Sequence, residues 1–207
     1  MQSRKLSELL VRHKAKKRLS RYWCKRSSVA IVFDQQAGEG ASILMIKRAE
    51  HKDDPWSGHM AFPGGRRESF DRNSLATAKR EMHEEVGFDI DDAEHRHLNG
   101  EWLGRLSDIR TAPRVTPKAM VVSPYTFAVS DRPVLDANYE VAETVWIPFA
   151  FFADINNRDV YELEYQQKKI ALPCYRYNDK MIWGMSLLMI DEVLRIRGID
   201  VPEWKRV

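Results

Sequence analysis

The stretch GGRRESFDRNSLATAKREMHEEVGF, residues 64–88, sets three carboxylates within five positions: Glu81, Glu84 and Glu85. It also carries a well-marked helix. Asn73 or Ser74 can cap it, Leu75, Ala78, Met82 and Val86 recur at helical spacing, and Gly87 ends it. At about 100° of turn per residue, the three glutamates share one flank, beside the apolar stripe. Carboxylates crowded next to a core must either hold their protons or find a counter-charge. A divalent cation is the natural one, and hard oxygen ligands without cysteine or clustered histidine favour Mg²⁺ or Mn²⁺ over zinc. A solvated acidic helix face is the alternative reading of the same residues.

Outward from this helix, the chain has room for one substantial domain, or at most two small ones, in its 207 residues. A hydrophobic fraction of 43% and a charged fraction of 30% are those of an ordinary soluble globular protein. A net charge of +3 is too small to argue for nucleic acid, and no nucleic-acid partner is expected. Cys24 and Cys174 cannot build a disulfide framework or a four-ligand zinc site, so a reducing cytoplasm is the expected setting. No apolar run is long enough to span a membrane, and the N-terminus lacks the apolar core of a secretory signal.

Charge is uneven along the chain. Residues 1–26 carry Arg4, Lys5, Arg12, Lys14, Lys16, Lys17, Arg18, Arg21, Lys25 and Arg26 against the single acid Glu8. Leu6, Leu9, Leu10 and Leu19 give this segment an amphipathic helical pattern. A transit peptide and an anionic-surface anchor both fit it. The plainer expectation is a solvated helix packed on the outside of the domain. Residues 1–26 are therefore set apart as a basic helical extension, and 27–207 as one domain.

Apolar and β-branched runs place strands at SSVAIVF and SILMIKR, joined as a hairpin across DQQAGEGA. MAFPGG runs a short strand into a tight turn. Further strands fit EWLGRL, MVVSPYTFAV, ETVWIPF and IALPCYRY, and a last helix fits SLLMIDEVLRIRG, stopped by Gly198. Strands mixed with two or three helices predict an α/β (α+β) domain, a mixed sheet covered by helices on both faces.

With Gly65 before the helix and Arg80 directly before Glu81, residues 64–88 resemble the Nudix box, G-x5-E-x7-R-E-U-x-E-E-x-G-U, where U is apolar. Gly65, Arg80, Glu81, Met82, Glu84, Glu85, Gly87 and Phe88 fit. The first acid is Asp71 in place of Glu, and eight residues separate it from Arg80. The resemblance implies a Nudix-type α/β/α sandwich and hydrolysis of a nucleoside diphosphate linked to another group, X. It implies Mg²⁺ or Mn²⁺ held by Glu81, Glu84, Glu85 and the Gly64 carbonyl, neutralising the pyrophosphate and acidifying a water. Water would attack one phosphorus in line as the other phosphate leaves. In the family the first acid braces the loop–helix corner, and Arg80 can pair with Glu84 one turn on.

A second layer narrows X. FPGGRRESFD, VTPKAMVVSPYTF and MIWGMSLL resemble the coenzyme A pyrophosphatase branch, over roughly residues 27–197. Upstream of the box, Arg48, Gly58 and FPGG fit that branch's signature, with His59-Met60 in place of its Q-V pair. Coenzyme A or a derivative is the implied substrate, with ADP-ribose, nucleotide sugars and dinucleotides as alternatives. Arg48, Arg66 and Arg67 are candidate phosphate clamps. Glu140 or Glu143 could supply a distal carboxylate, and His59 could orient a phosphate or water. Trp183 and Tyr125 could stack on a base, although aromatics in apolar runs are usually core, and Cys174 reads as a buried filler. A homodimer stays an open assembly state. A non-catalytic Nudix-like nucleotide-binding regulator is the rival class, and retention of all three box glutamates favours the enzyme.

Overall fold

The computed structural model describes residues 5–38, 40–52, 56–111, 119–165 and 168–202. In chain order they form α1 (Leu6–Arg12), β1 (Lys25–Phe33), β2 (Ser42–Arg48), β3 (Met60–Ala61), β4 (Gly64–Arg66), α2 (Ser74–Val86), β5 (Glu101–Arg105), β6 (Ile109–Arg110) and β7 (Met120–Ala128). Then follow β8 (Val141–Pro148), α3 (Phe149–Ala153), β9 (Arg158–Tyr165), β10 (Lys168–Tyr177), β11 (Lys180–Trp183) and α4 (Gly184–Arg197).

Strand alternation sorts the apolar residues into two cores. On one face Ala30, Val32, Leu44 and Ile46 pack with Ala78, Met82 and Val86 of α2. On the other, Ile31, Phe33, Ile43 and Met45 pack with Leu6 and Leu10 of α1 and with Leu187, Ile190, Val193 and Leu194 of α4. β1 and β2 are thus buried on both sides, which is why SSVAIVF and SILMIKR read as nearly continuous apolar runs. The expected layers of helix, mixed sheet and helix follow from this.

The sheet is mixed because β1 runs parallel to β7, from Lys25↔Met120 to Phe33↔Ala128. β5 and β6 pair antiparallel with β7. The expected β1–β2 hairpin is antiparallel and meets at Phe33↔Ile43. Towards its start β1 takes a different partner, β4, through Ser27↔Arg66, Ser28↔Gly65 and Val29↔Gly64. β2 pairs instead with β3 and β8.

Two expectations are corrected. The N-terminal helical pattern stops at Arg12, because His13 is extended (ψ 131). Beyond it the chain is tied down by long-range bonds: Lys16 N–H to Ser107 Oγ at 3.0 Å and Arg18 N–H to Asp108 Oδ2 at 2.8 Å. Those donors are satisfied without continuing a helix. Leu19, assigned to the apolar stripe, is 74% exposed on a 3₁₀ turn. Second, β10 belongs to a separate antiparallel sheet, β11-β10-β9. Its neighbour β9 carries Arg158, Asp159 and Glu162, charges that dilute the strand signal.

Candidate active site on the β4–α2 corner

Both ends of α2 close by local chemistry. Asn73 Oδ1 accepts from Ala76 N–H at 3.0 Å, and Gly87 adopts the left-handed conformation (φ 70). β4 runs antiparallel along the helix, so successive strand residues meet successively earlier helix residues. Gly64 N–H donates to Glu85 Oε2 at 2.7 Å. Gly65 lies against Glu81, and the Arg66 carbonyl accepts from Arg80 Nη2 at 3.0 Å. Arg67 Nη2 then donates to the Asp71 carbonyl at 3.0 Å.

The two glycines permit this contact. A Cβ on Gly65 would sit 2.5 Å from Glu81 Oε2, and one on Gly64 would sit 2.4 Å from the Ser28 carbonyl. The obstacles differ: a movable carboxylate in the first case, backbone in the second. Gly65→Ala is therefore expected to displace Glu81, lowering turnover at least about tenfold (about 1.4 kcal/mol) with little change in melting temperature. Gly64→Ala is expected to destabilise the fold by about 2 kcal/mol or more. Thermal melts and steady-state kinetics on the two variants test the difference.

Arg80 is the brace of the corner. Its Nε and Nη2 each lie 3.0 Å from an oxygen of buried Asp71, Nη1 lies 2.6 Å from Glu84 Oε2, and Nη2 lies 2.8 Å from Glu81 Oε1. Asp71 also accepts from Glu68 N–H at 2.9 Å and Thr77 Oγ1 at 3.0 Å. These bonds, Arg80 first, hold the Asp71 carboxyl below its ordinary range. Asp71 thus does the bracing expected of the first acid in the box. Arg80→Ala strands a buried carboxylate, and urea unfolding is expected to show a loss of about 3 kcal/mol. Because the Asp71 pKa is depressed, the stability it contributes in the native protein is lost as pH falls through the acidic range.

The acids divide by environment. Glu85 is buried, and burial is the main cause that pushes its carboxyl up to about 8. The Gly64 N–H and Arg48 oppose this shift, while Glu81 and Glu140 add to it. Burial also raises Glu81, against the pull of Arg80. Glu84 is half-exposed and engaged with Arg80. Glu140, at the turn before β8, is held beside β2 because its carbonyl accepts from Ala49 N–H at 2.8 Å. Glu143 points to other business, pairing with Lys180 at 3.2 Å. Among the described residues no three acids or histidines already form a metal cage. Arg80 instead pairs with Glu81 at 2.8 Å and Glu84 at 2.6 Å. The donor set still suits a hard divalent cation: buried carboxylate oxygens whose charge the protein's own cations leave partly uncompensated.

Other sequence candidates are dispersed. Arg48 ends β2 and its charge reaches Glu85. Arg66 is exposed and contributes its carbonyl. His59 packs edge-on between Trp56, at 5.9 Å, and Trp183, at 5.2 Å. Tyr125 is buried in the α2-side core under Arg105, and Cys174 is buried. The VTPK residues, 115–118, lie outside the described residues. Glu140 was hardest to select from sequence, since long-range backbone bonds bring it to α2's acids: Ala49 N–H to the Glu140 carbonyl at 2.8 Å and Asn138 N–H to the Glu85 carbonyl at 3.0 Å.

A NUDIX domain family model matches residues 25–163, two thirds of the chain, and the chain belongs to the Nudix family. Among curated relatives, Nudix hydrolase NudL of Enterobacter sp. is 26% identical over 179 residues, covering 85% of each chain. An uncharacterized Schizosaccharomyces pombe protein is 36% identical over 109 residues, 52% of this chain. The chain spans about a third, 32%, of that relative's length. Nudix hydrolase 15, mitochondrial, of Arabidopsis thaliana is 26% identical over 176 residues, 80% of this chain and 56% of that protein. The fold is shared with a MutT/nudix family protein from Enterococcus faecalis: TM-score 0.50, 17% identity, 85% of this chain and 60% of that one.

Proposed function

We propose that this protein hydrolyses the pyrophosphate bond of a nucleoside diphosphate linked to a second group, and that the preferred substrate is coenzyme A or a derivative, cleaved to 3′,5′-ADP and 4′-phosphopantetheine. The observation that carries the reading is the run of box glutamates on α2, with Glu85 and Glu81 packed against the β4 glycines Gly64 and Gly65. Glu81, Glu84, Glu85 and the Gly64 carbonyl would hold Mg²⁺ or Mn²⁺, which when bound neutralises the pyrophosphate and acidifies a water. The Gly64 N–H orients Glu85, and Arg80 orients Glu81 and Glu84 while bracing the loop through Asp71. Glu140, whose charge acts on both Glu81 and Glu85, is the group assigned to take a proton from the attacking water. Arg48 offers positive charge to a phosphate beside Glu85.

Support for coenzyme A comes from FPGGRRESFD and MIWGMSLL, which resemble that branch. Free Cys24 and Cys174 fit a reducing, cytoplasmic setting. Among the described residues no helix is long and apolar enough to cross a membrane. The test is a screen of coenzyme A, ADP-ribose, nucleotide sugars and dinucleotides with and without Mg²⁺, products identified by mass spectrometry. Rapid turnover of ADP-ribose with coenzyme A inert would overturn the substrate, and no turnover of any member would overturn the class.

A further inference from the structure

At the far end of β4 from Glu85, Arg26, Arg67, Glu68 and Ser69 line an open cleft of about 390 Å³. Its two arginines come from distant parts of the chain, Arg26 on β1 and Arg67 directly after β4. Arg67 N–H donates to the Arg26 carbonyl at 3.0 Å, extending the Ser27↔Arg66 register by one pair. Like charges directly opposite one another across an antiparallel pair are unfavourable. Among the described residues neither guanidinium is in an ion pair with a carboxylate. Arg67 is anchored through Nη2 to the Asp71 and Arg72 carbonyls, yet its Nε is buried with no hydrogen-bond partner. A buried, unpaired N–H donor is a local cost to the fold. Burial first, then the nearby charges of Arg67 and Arg21, lower the Arg26 pKa, so these cations are close enough to repel. Two arginines against the single exposed Glu68 leave the lining net positive.

We propose that this cleft is a second anion subsite, in which Arg26 and Arg67, with the Ser69 hydroxyl, bind a phosphomonoester of the substrate that is not cleaved. The placement suits such a group. Three residues of extended chain separate Gly64 from Arg67, a span of about 10 Å, comparable with one nucleoside unit. A scissile pyrophosphate at the acid cluster would leave a second phosphate on the ribose within reach of the arginines. The inference rests on the proposed hydrolysis only for the identity of the substrate, since the cleft's affinity for a phosphomonoester can be measured without turnover.

The experiment pairs coenzyme A with dephospho-coenzyme A, which differ by the ribose 3′-phosphate, on wild type and Arg26→Gln. A charge-assisted contact predicts a wild-type preference for coenzyme A of about ten- to a hundred-fold in kcat/KM, carried mainly by KM. In Arg26→Gln that ratio is expected to fall toward one. A ratio unchanged by the substitution overturns the subsite while leaving the hydrolase reading intact. In parallel, calorimetric titration compares 3′,5′-ADP with 5′-AMP on both proteins without metal. Wild type should bind 3′,5′-ADP about tenfold or more tightly than 5′-AMP, and Arg26→Gln should not distinguish them. If neither coenzyme is hydrolysed, the coenzyme A reading fails and this titration alone decides the subsite. Equal affinity of wild type for the two nucleotides overturns it. Thermal melts keep the variant interpretable: removing one of two opposed charges should leave its melting temperature equal or higher.

Discussion

Glu85→Gln is expected to lower kcat at least about a thousandfold while the protein stays folded. Glutamine keeps the shape of the side chain, and its carbonyl oxygen can still accept the Gly64 N–H now bonded at 2.7 Å. What disappears is the charge and an anionic oxygen donor. A thousandfold corresponds to about 4 kcal/mol of barrier, in line with the several kcal/mol that a bound cation contributes to a phosphoryl transition state. Steady-state kinetics beside circular dichroism checks it. Turnover within tenfold of wild type, or full wild-type activity in excess EDTA, would sink the assignment of Glu85 to the metal site.

In metal-free protein, stability is expected to fall as pH rises from about 5 to 8, and a divalent cation should restore it. The Glu85 carboxyl moves from an ordinary 4.5 to about 8 on folding, chiefly through burial. Between those values the folded state keeps a proton that the unfolded chain has released, so stability is lost as pH rises. At about 1.4 kcal/mol per unit, the loss amounts to several kcal/mol. Glu81, raised for the same reason, acts in the same direction. Glu85→Gln should flatten the profile. Millimolar Mg²⁺ should raise the wild-type melting temperature more at pH 8 than at pH 5, because the cation displaces the retained proton. Melting curves in EDTA across this range provide the measurement, and superposed profiles for wild type and variant would show that Glu85 is not the group responsible.

Legibility from sequence followed the range of the interactions. Helix α2 was readable end to end because its determinants are local: the Asn73 cap, the stripe of Ala78, Met82 and Val86, and the Gly87 stop. Strands β1 and β2 were readable because burial on both faces leaves an unbroken apolar run. The pairing of Arg80 with Glu84 was readable from one helical turn. Bracing of the loop–helix corner by Asp71 was implied by the box resemblance, but its bond to Arg80 was not, and the buried Asp71 shows that the loop, one residue longer than the general form, still closes. β9 and β11 were not readable, since their partner is β10 and their sequences are short or charged.

The residue pattern by itself determined the acid-bearing helix α2 and the layered α/β architecture, because periodicity and capping act over a few residues. Only the tertiary structure decided which acids share an environment and which are diverted. Glu140 is brought to Glu85 by the segment before β8, which bonds both to the end of β2 and to α2, whereas Arg80 pairs with Glu81 and Glu84. It also decided that Arg26, carried in a basic segment that looked merely solvated, stands opposite Arg67 beside an unfilled donor. Strand register and burial set those charges together across tens of residues of chain, and no local pattern encodes the Coulomb energy that results.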